Sequence, residues 1–553
     1  MLPQLDLDLP PSTTMTIDEV ASALQVSSAS VRNWVKTGYL ETDKGKFVSR
    51  SSFEAFQNSV VGTEKLTKRA NKSKLDTHDH DALQAKFLAH IGQCKNVELE
   101  GLGDAYEGDL SNSHRNKEGI YYTPDHIVKR FFKNITGNVS ELVFCDPCCG
   151  SGNFIIAALD HGFLPENIYG FDTDPVAVAI TNARFKSRSG IASTNINMAD
   201  FLHDVVLDDV LNIPSFDVVL TNPPWGKKLP PKDKDLLSKA FSCPKSVDTS
   251  ALFFQAALRK SKPSSIIGML LPEAFFNISS FGSTREAILK HKILSFVDFD
   301  KPFKGLMTKA KGLFVMKEKL SNIETSIPCE TLTGTHFRSH KSFIRNPKNI
   351  FNFECDPQSS DLINHLYSLP HTTLDGKARW GLGIVTGNNK KFVSADFKDN
   401  YLPVFKGSEI QAGQLPKPKN FIPSDLTQYQ QVASPDLYFS PEKLIYRFIS
   451  SNLVFHHDTE GKLFLNSANM LVLENDVGIS HADLAWLLNT KLMNWVFRQV
   501  FDTHKVLRSD LEALPIFFEY FRGSQPKSED ELLQYLGIEV GTDGTYRLKK
   551  QNL

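Results

Sequence analysis

Apolar positions change period along the chain, and each change marks an element. Ile17, Val20, Ala21 and Leu24 recur at i, i+3, i+4 and i+7, the spacing of one helix face. Thr16-Ile17-Asp18-Glu19 in front of them is a capping box, with Thr16 as N-cap and Glu19 able to return a hydrogen bond. Val26-Ser27 breaks this helix, and a second runs through Val31, Arg32, Trp34 and Val35 to Gly38. Gly45, between Lys44 and Lys46, suits the tip of a small hairpin before Phe47 and Val48. From about residue 81 to 320, short apolar runs alternate with helical segments. Leu142 to Cys145, Ile168 to Phe171, Val218 to Thr221 and Ile266 to Leu271 suit buried strands, while 153–160, 175–185 and 250–260 carry helical periodicity. This alternation predicts an α/β fold with an open, mostly parallel sheet covered by helices on both faces. Beyond about 330, Pro, Asn and Gly interrupt the pattern, which predicts a further α+β domain.

Composition refines this picture only slightly. A chain of 553 residues is too long for one core. The predicted division is 1–14 as a disordered lead, 15–60 as a small helical and hairpin module, 61–80 as a linker, 81–325 as the α/β domain and 326–553 as the last domain. The linker reading rests on Lys65, Lys68, Arg69, Lys72 and Lys74 among few apolar residues. A net charge of −1 does not exclude a nucleic-acid partner, because a basic face can be offset elsewhere. Seven cysteines over this length fit reduced thiols and a cytoplasmic protein rather than a disulfide scaffold. No second Cys or His pair stands at zinc-ligand spacing, so no metal is expected. Apolar runs such as Ile266 to Leu271 are too short to span a bilayer, and no membrane partner is expected.

The chemistry-bearing residues gather at predicted strand ends. The first strand stops in Asp146-Pro147-Cys148-Cys149-Gly150-Ser151-Gly152, a tight glycine turn that leads into a helix. Gly150 and Gly152 allow a backbone to approach a ligand closely. Such a turn alone suits any nucleotide. The next strand ends at Asp172, twenty positions after Gly152, where a carboxylate can accept both hydroxyls of a ribose. Asp174-Pro175 reads instead as N-cap and first residue of the following helix. The loop lacks a phosphate-binding GxGxxG, and Asp146 would repel a pyrophosphate. A cationic, phosphate-free nucleoside such as S-adenosyl-L-methionine is therefore favoured. Asp200-Phe201 ends a third strand, an acid and an aromatic that suit an adenine amine and ring.

The strongest signal is Phe216-Asp217-Val218-Val219-Leu220-Thr221-Asn222-Pro223-Pro224-Trp225. Apolar residues carry the chain up a strand and leave Asn-Pro-Pro-Trp at its carboxyl end, where open α/β sheets bind ligands. Pro223 and Pro224 stiffen the turn and withhold backbone donors, leaving carbonyls and the Asn222 amide oxygen as acceptors. An aryl amine is a poor nucleophile because its lone pair is delocalised into the ring. Two acceptors on its protons localise that pair, and Trp225 can stack on the base.

These motifs resemble the N6-adenine DNA methyltransferases of type II restriction-modification systems with the gamma motif order. The resemblance spans roughly residues 100 to 520. It implies a Rossmann-like S-adenosylmethionine-dependent catalytic sheet followed by a target-recognition domain. Lys117-Glu118-Gly119-Ile120-Tyr121-Tyr122-Thr123-Pro124 matches the motif that precedes the glycine loop, which implies Thr123 near the methionine end of the cofactor. Asp146, Gly150 and Gly152 match the cofactor loop, Asp172 the ribose acid, and Asp200 with Phe201 the adenine-binding pair. Asn222, Pro223, Pro224 and Trp225 match the catalytic tetrapeptide, and Phe303 matches an aromatic that stacks on the far face of the target base. Segments 383–390, 402–407, 444–447 and 511–516 look like pieces of target-recognition domains in this family. Cys148 stands where a small residue is usual and should be tolerated.

The N-terminal module departs from that common core. It resembles the winged helix-turn-helix of the excisionase and MerR families, which implies Ser28, Ser30, Arg32, Asn33 and Lys36 facing DNA. The function implied is methyl transfer from S-adenosyl-L-methionine to a flipped adenine in double-stranded DNA, with a separate cognate restriction endonuclease as the partner of such a system. Alternatives are a methyltransferase of RNA or of a protein glutamine, and a transcriptional regulator carrying an inactive methyltransferase domain. Residues 61–110 offer no nuclease array of acids and lysine, which argues against cleavage by the same chain.

Overall fold

The computed structural model describes residues 14–23, 31–32, 34–35, 40–43, 47–59, 74–94, 96–110, 114–115, 118–207, 212–244, 248–303, 306–474, 477–522 and 527–549. The chain packs as two compact units, one of residues 1–214 and 221–230 and one of residues 215–220 and 231–553.

The first unit opens with β1 (Thr14–Thr16) and α1 (Ile17–Ala23), then β2 (Thr42–Asp43), β3 (Phe47–Ser49) and α2 (Arg50–Ser59). The capping box forms as expected. Thr16 N donates to Glu19 Oε2 at 2.7 Å, and Glu19 N donates back to Thr16 Oγ1 at 3.2 Å. β3 pairs antiparallel with β1 and with β2, the latter as the expected hairpin. Val20, Val31, Leu40, Val48, Phe53 and Phe56 fill the core of this module. Most of the expected lead (1–13), the Val26-Ser27 break and the hairpin tip at Gly45 lie outside the described residues. α3 (Lys74–Ile91) begins inside the segment expected as a linker. Phe87, at 6% exposed, shows why, since it packs into a core with Leu99, Leu102 and Tyr106 of α4 (Asn96–Asp109).

The methyltransferase-like segment follows. After α5 (Asp125–Phe132), β4 (Phe144–Asp146), β5 (Ile168–Asp172) and β6 (Ile196–Met198) pair in parallel, with α6 (Asn153–His161) and α7 (Pro175–Ser189) as crossovers. Parallel strands buried on both faces read as apolar runs, and all three residues of β4 are buried. Asp174 caps α7 as expected, accepting from Val176 N with Pro175 in the first turn, and Gly190 at φ +80° ends it.

β7 (Phe216–Thr221) straddles the division, with Thr221 in the first unit. In the second unit, α8 (Thr249–Lys260) leads into β8 (Ser261–Pro272), and β9 (His291–Asp298), β10 (Ala310–Lys319), β11 (Ser326–Thr331) and β12 (Gly334–Ser339) follow. The strand order there is β12-β11-β9-β10-β8-β7, with β10 antiparallel to β8 and β9 and β11 parallel to β9. The sheet of this unit is therefore mixed. β8 and β9 are joined through the helical stretches Ala274–Asn277 and Gly282–Leu289, and β10 enters between them antiparallel to both.

The remainder of the second unit holds β13 (Ala378–Leu382), β14 (Tyr401–Phe405), β15 (Phe421–Pro423), β16 (Lys443–Arg447), β17 (Phe455–Asp458), β18 (Leu463–Phe464) and β19 (Ala468–Leu473). They form one sheet ordered β13-β19-β16-β17 and another ordered β15-β14-β18. α9 (His481–Asn489) and α10 (Lys491–Phe501) cover the first, supplying Leu484, Leu487, Leu488, Val496 and Phe497 to its core. Across β16 and β17, Lys443 pairs with Asp458 although both side chains are fully buried.

Candidate active site

The chain at the ends of β4, β5, β6 and β7 and one upstream segment build the site, and its residues Thr123, Asp146, Asp172, Asp200 and Asn222 all belong to the first unit. Asp146 closes β4 and is 1% exposed. Its Oδ1 accepts from Cys148 N at 3.1 Å and from Thr221 Oγ1 at 2.6 Å. Burial pushes its carboxyl up to about 7, and nearby Asp172 adds to the rise, while the two hydrogen bonds oppose it.

The glycine turn behind Asp146 is tightly held. Gly150 has φ +51°, and a Cβ there would meet the Tyr122 ring at 2.9 Å. Gly152, at φ +89°, would meet the Thr181 methyl at 2.7 Å. Two residues of α7 spaced i, i+3 fasten the turn from outside. Thr181 Oγ1 donates to Gly150 O at 2.8 Å, and Arg184 Nη1 donates to Ser151 O at 2.6 Å and to Asn153 Oδ1 at 2.8 Å. Arg184 is 7% exposed and also pairs with Glu100 at 2.9 Å.

Asp172 accepts from Gly150 N and from Asp174 N, both at 2.9 Å, so it braces the loop that it faces. Burial holds its carboxyl above the usual range, against those two hydrogen bonds. Asp200 Oδ1 accepts from Leu202 N at 2.9 Å and His203 N at 3.3 Å, and so caps the turn 201–207. Phe201 is 1% exposed, its ring 5.9 Å from that of Phe171.

Asn222 follows β7, and its Nδ2 donates to Tyr121 O at 2.8 Å. A carbonyl accepts only from the NH2 side of an amide, so this contact dictates the flip and leaves Oδ1 as the outward acceptor. Thr123, 5% exposed, gives its own carbonyl to Asn153 Nδ2 at 2.9 Å. Tyr121, Thr123, Asp146, Gly150, Asn153 and Asn222 together line one cleft. Pro223 is buried, and Pro224 and Trp225 are half-buried.

Phe303 belongs to the second unit and is 7% exposed. Of the helix-turn-helix residues, Arg32 is exposed, and Ser28, Ser30, Asn33 and Lys36 lie outside the described residues. Sequence reasoning missed Tyr121, Thr181, Arg184 and Thr221. Each acts through a backbone or buried partner 31 to 101 positions away, and no local pattern encodes such a pairing. Among the described residues no helix is long and apolar enough to cross a membrane, and no group of His, Cys, Asp and Glu could hold a metal ion.

Comparison with known proteins bears on this geometry directly. Residues 98–326 match the N-6 DNA Methylase model, and residues 402–516 match the TaqI-like C-terminal specificity domain. The Type II methyltransferase M.VspI of Vibrio sp. (strain 343) is 48% identical over 396 residues, covering 72% of this chain and 96% of that enzyme. The chain belongs to the N-6 DNA methylase family. It is an adenine-specific DNA methyltransferase of the restriction-modification type, with a C-terminal specificity domain. The methylase subunit of the Type I restriction enzyme MjaIX of Methanocaldococcus jannaschii is 24% identical over 375 residues, covering 60% of this methyltransferase and 62% of that subunit. A nuclease-deletion mutant of the Type ISP restriction-modification enzyme LlaGI, solved with a DNA substrate mimic, shares the fold at TM-score 0.50 and 10% identity. That likeness covers 90% of this chain and 65% of the LlaGI chain.

Proposed function

We propose that this methyltransferase uses S-adenosyl-L-methionine, flips its target adenine out of double-stranded DNA, and activates the exocyclic amine with Asn222 and the Pro223 carbonyl. The observation that carries the reading is the hydrogen bond from Asn222 Nδ2 to Tyr121 O, which turns the amide oxygen outward as an acceptor. The chemistry of the cleft fits the cofactor. Asp146 and Asp172 end β4 and β5, and Asp200 stands two residues beyond β6, a set of acids that can bind hydroxyls and an amine while offering no cation to a phosphate. Asp146, Gly150, Gly152 and Asp172 would hold the nucleoside, with Asp200 and Phe201 at its adenine and Thr123 at its methionine end. The cofactor, when bound, supplies an electrophilic methyl group on a sulfonium.

Everything else is the work of the chain. Asn222 Oδ1 and the Pro223 carbonyl accept the two amine protons of the base, so its lone pair leaves conjugation with the ring and the positive charge developing on nitrogen is stabilised. Extrusion costs roughly a few kcal/mol, which stacking on Trp225 and on Phe303 offsets. The catalytic part is taken as 81–325 and the sequence-reading part as 326–553. The N-terminal module is read as a DNA-contacting winged helix-turn-helix, supported by the capped α1, the β2–β3 hairpin and exposed Arg32. The enzyme would act in the cytoplasm, protecting host DNA from a separate cognate endonuclease.

Asn222→Ala tests the central assignment. It should bind cofactor normally yet lose methyl transfer to DNA by orders of magnitude, measured with labelled methyl donor offered plasmid, RNA and protein. Near-normal transfer by that variant, or label in RNA or protein alone, would overturn the assignment.

A further inference from the structure

The segment just upstream of Thr123 touches the catalytic turn at three points. Glu118 Oε2 lies 3.4 Å from Lys227 Nζ, with side chains only 22% and 29% exposed. Gly119 has φ +72°, and a Cβ there would stand 2.7 Å from both the backbone N and the backbone O of Trp225, and 3.2 Å from the carbonyl carbon of Pro224. Tyr121 O holds the Asn222 amide at 2.8 Å. The next residue, Tyr122, packs its ring against Gly150 of the cofactor loop. One short stretch therefore bears on the catalytic turn at one end and on the glycine turn at the other.

We propose that Gly119 and the Glu118–Lys227 pair are positioning residues for methyl transfer, setting the height and tilt of the Asn222–Trp225 turn relative to the cofactor loop. The contact at Gly119 falls on backbone atoms, so no rotamer change can relieve an added methyl group. The turn itself must shift. Glu118 and Lys227 lock the far side of the turn, beyond the Trp225 backbone. This inference rests on the assignment of Asn222, and for Gly119 the effect appears in turnover rather than in cofactor affinity, since Gly119 does not line the cleft around Asp146, whereas the charge of Lys227 also favours the ionised form of Asp172.

The test uses the full chain with labelled methyl donor and unmodified genomic DNA. Gly119→Ala should lower kcat roughly a hundredfold, the order expected for a misplacement of about 1 Å at the reacting centre. Its cofactor Kd should stay within about threefold of wild type, a change of well under 1.4 kcal/mol. Glu118→Lys and Lys227→Glu should each lower kcat, and the E118K/K227E exchange should restore most of it. Such rescue is a readout that general destabilisation would not produce. Wild-type kcat in Gly119→Ala, or an exchange no better than its single variants, would overturn the proposal. If Gly119→Ala fails to fold or to bind cofactor, the exchange series decides alone. Asn222→Ala run beside them separates the two ideas, because retained turnover there defeats the reading of Asn222 whatever Gly119 and the ion pair do.

Discussion

Asp146→Asn isolates the energetic cost of one buried charge. Both hydrogen bonds to Asp146 fall on Oδ1, so an asparagine can keep them with its amide oxygen and lose only the ionisable group. The native carboxyl is pushed up to about 7 from an ordinary 3.8, chiefly by burial. Between those values the folded chain keeps a proton that the unfolded chain releases. The contribution of this group to stability therefore falls as pH rises through the window and levels off above it. A shift of that size corresponds to about 4 kcal/mol when the group is fully ionised. Roughly half of it is already present near pH 5.5, so wild type should lose about 2 kcal/mol relative to Asp146→Asn between pH 5.5 and pH 8.5. The assay is chemical unfolding of both cofactor-free proteins at the two pH values, in which titrations of groups not coupled to Asp146 cancel in the difference. A stability difference that is the same at both would refute the claim that Asp146 holds its proton in the native state.

Arg184→Met should destabilise the first unit by about 2–4 kcal/mol, because Ser151 O, Asn153 Oδ1 and Glu100 lose a buried donor. Thermal melting together with cofactor titration would check it, and an unchanged melting temperature would count against the clamp. Lys443→Met should cost about 3–5 kcal/mol by leaving the buried Asp458 carboxylate with only the longer contact to Lys462, 3.8 Å away. The double variant Lys443→Met with Asp458→Asn should recover part of that loss, since it removes the buried charge, although its single amide oxygen can serve only one of Glu460 N and Lys462 N, which bind different oxygens of Asp458.

Much of this enzyme was written locally in its residues. The Thr16–Glu19 box closes within three positions, so the α1 boundary needed no tertiary information. The runs at Ile168 and Val218 became β5 and β7 because short, mostly apolar runs between polar turns have few other ways to be buried. Asn222, Pro223, Pro224 and Trp225 were legible for a related reason: their chemistry sits in four adjacent positions at one strand end.

Only the tertiary structure decided the rest. Periodicity could not order the strands, and the antiparallel β8–β10 and β9–β10 pairs break the parallel sheet expected from strand–helix alternation. Asp200 caps a turn through Leu202 N and His203 N, a local role, whereas Phe201 packs on Phe171, a neighbour that the sequence places thirty positions away. The orientation of the Asn222 amide depends on a carbonyl 101 residues away, and the proton on Asp146 depends on burial and on Thr221, 75 residues away. Residue type and spacing specify what a side chain can do. Which atoms face it, and how much water remains around it, come from packing between distant segments, and those two quantities set both its hydrogen bonds and its charge.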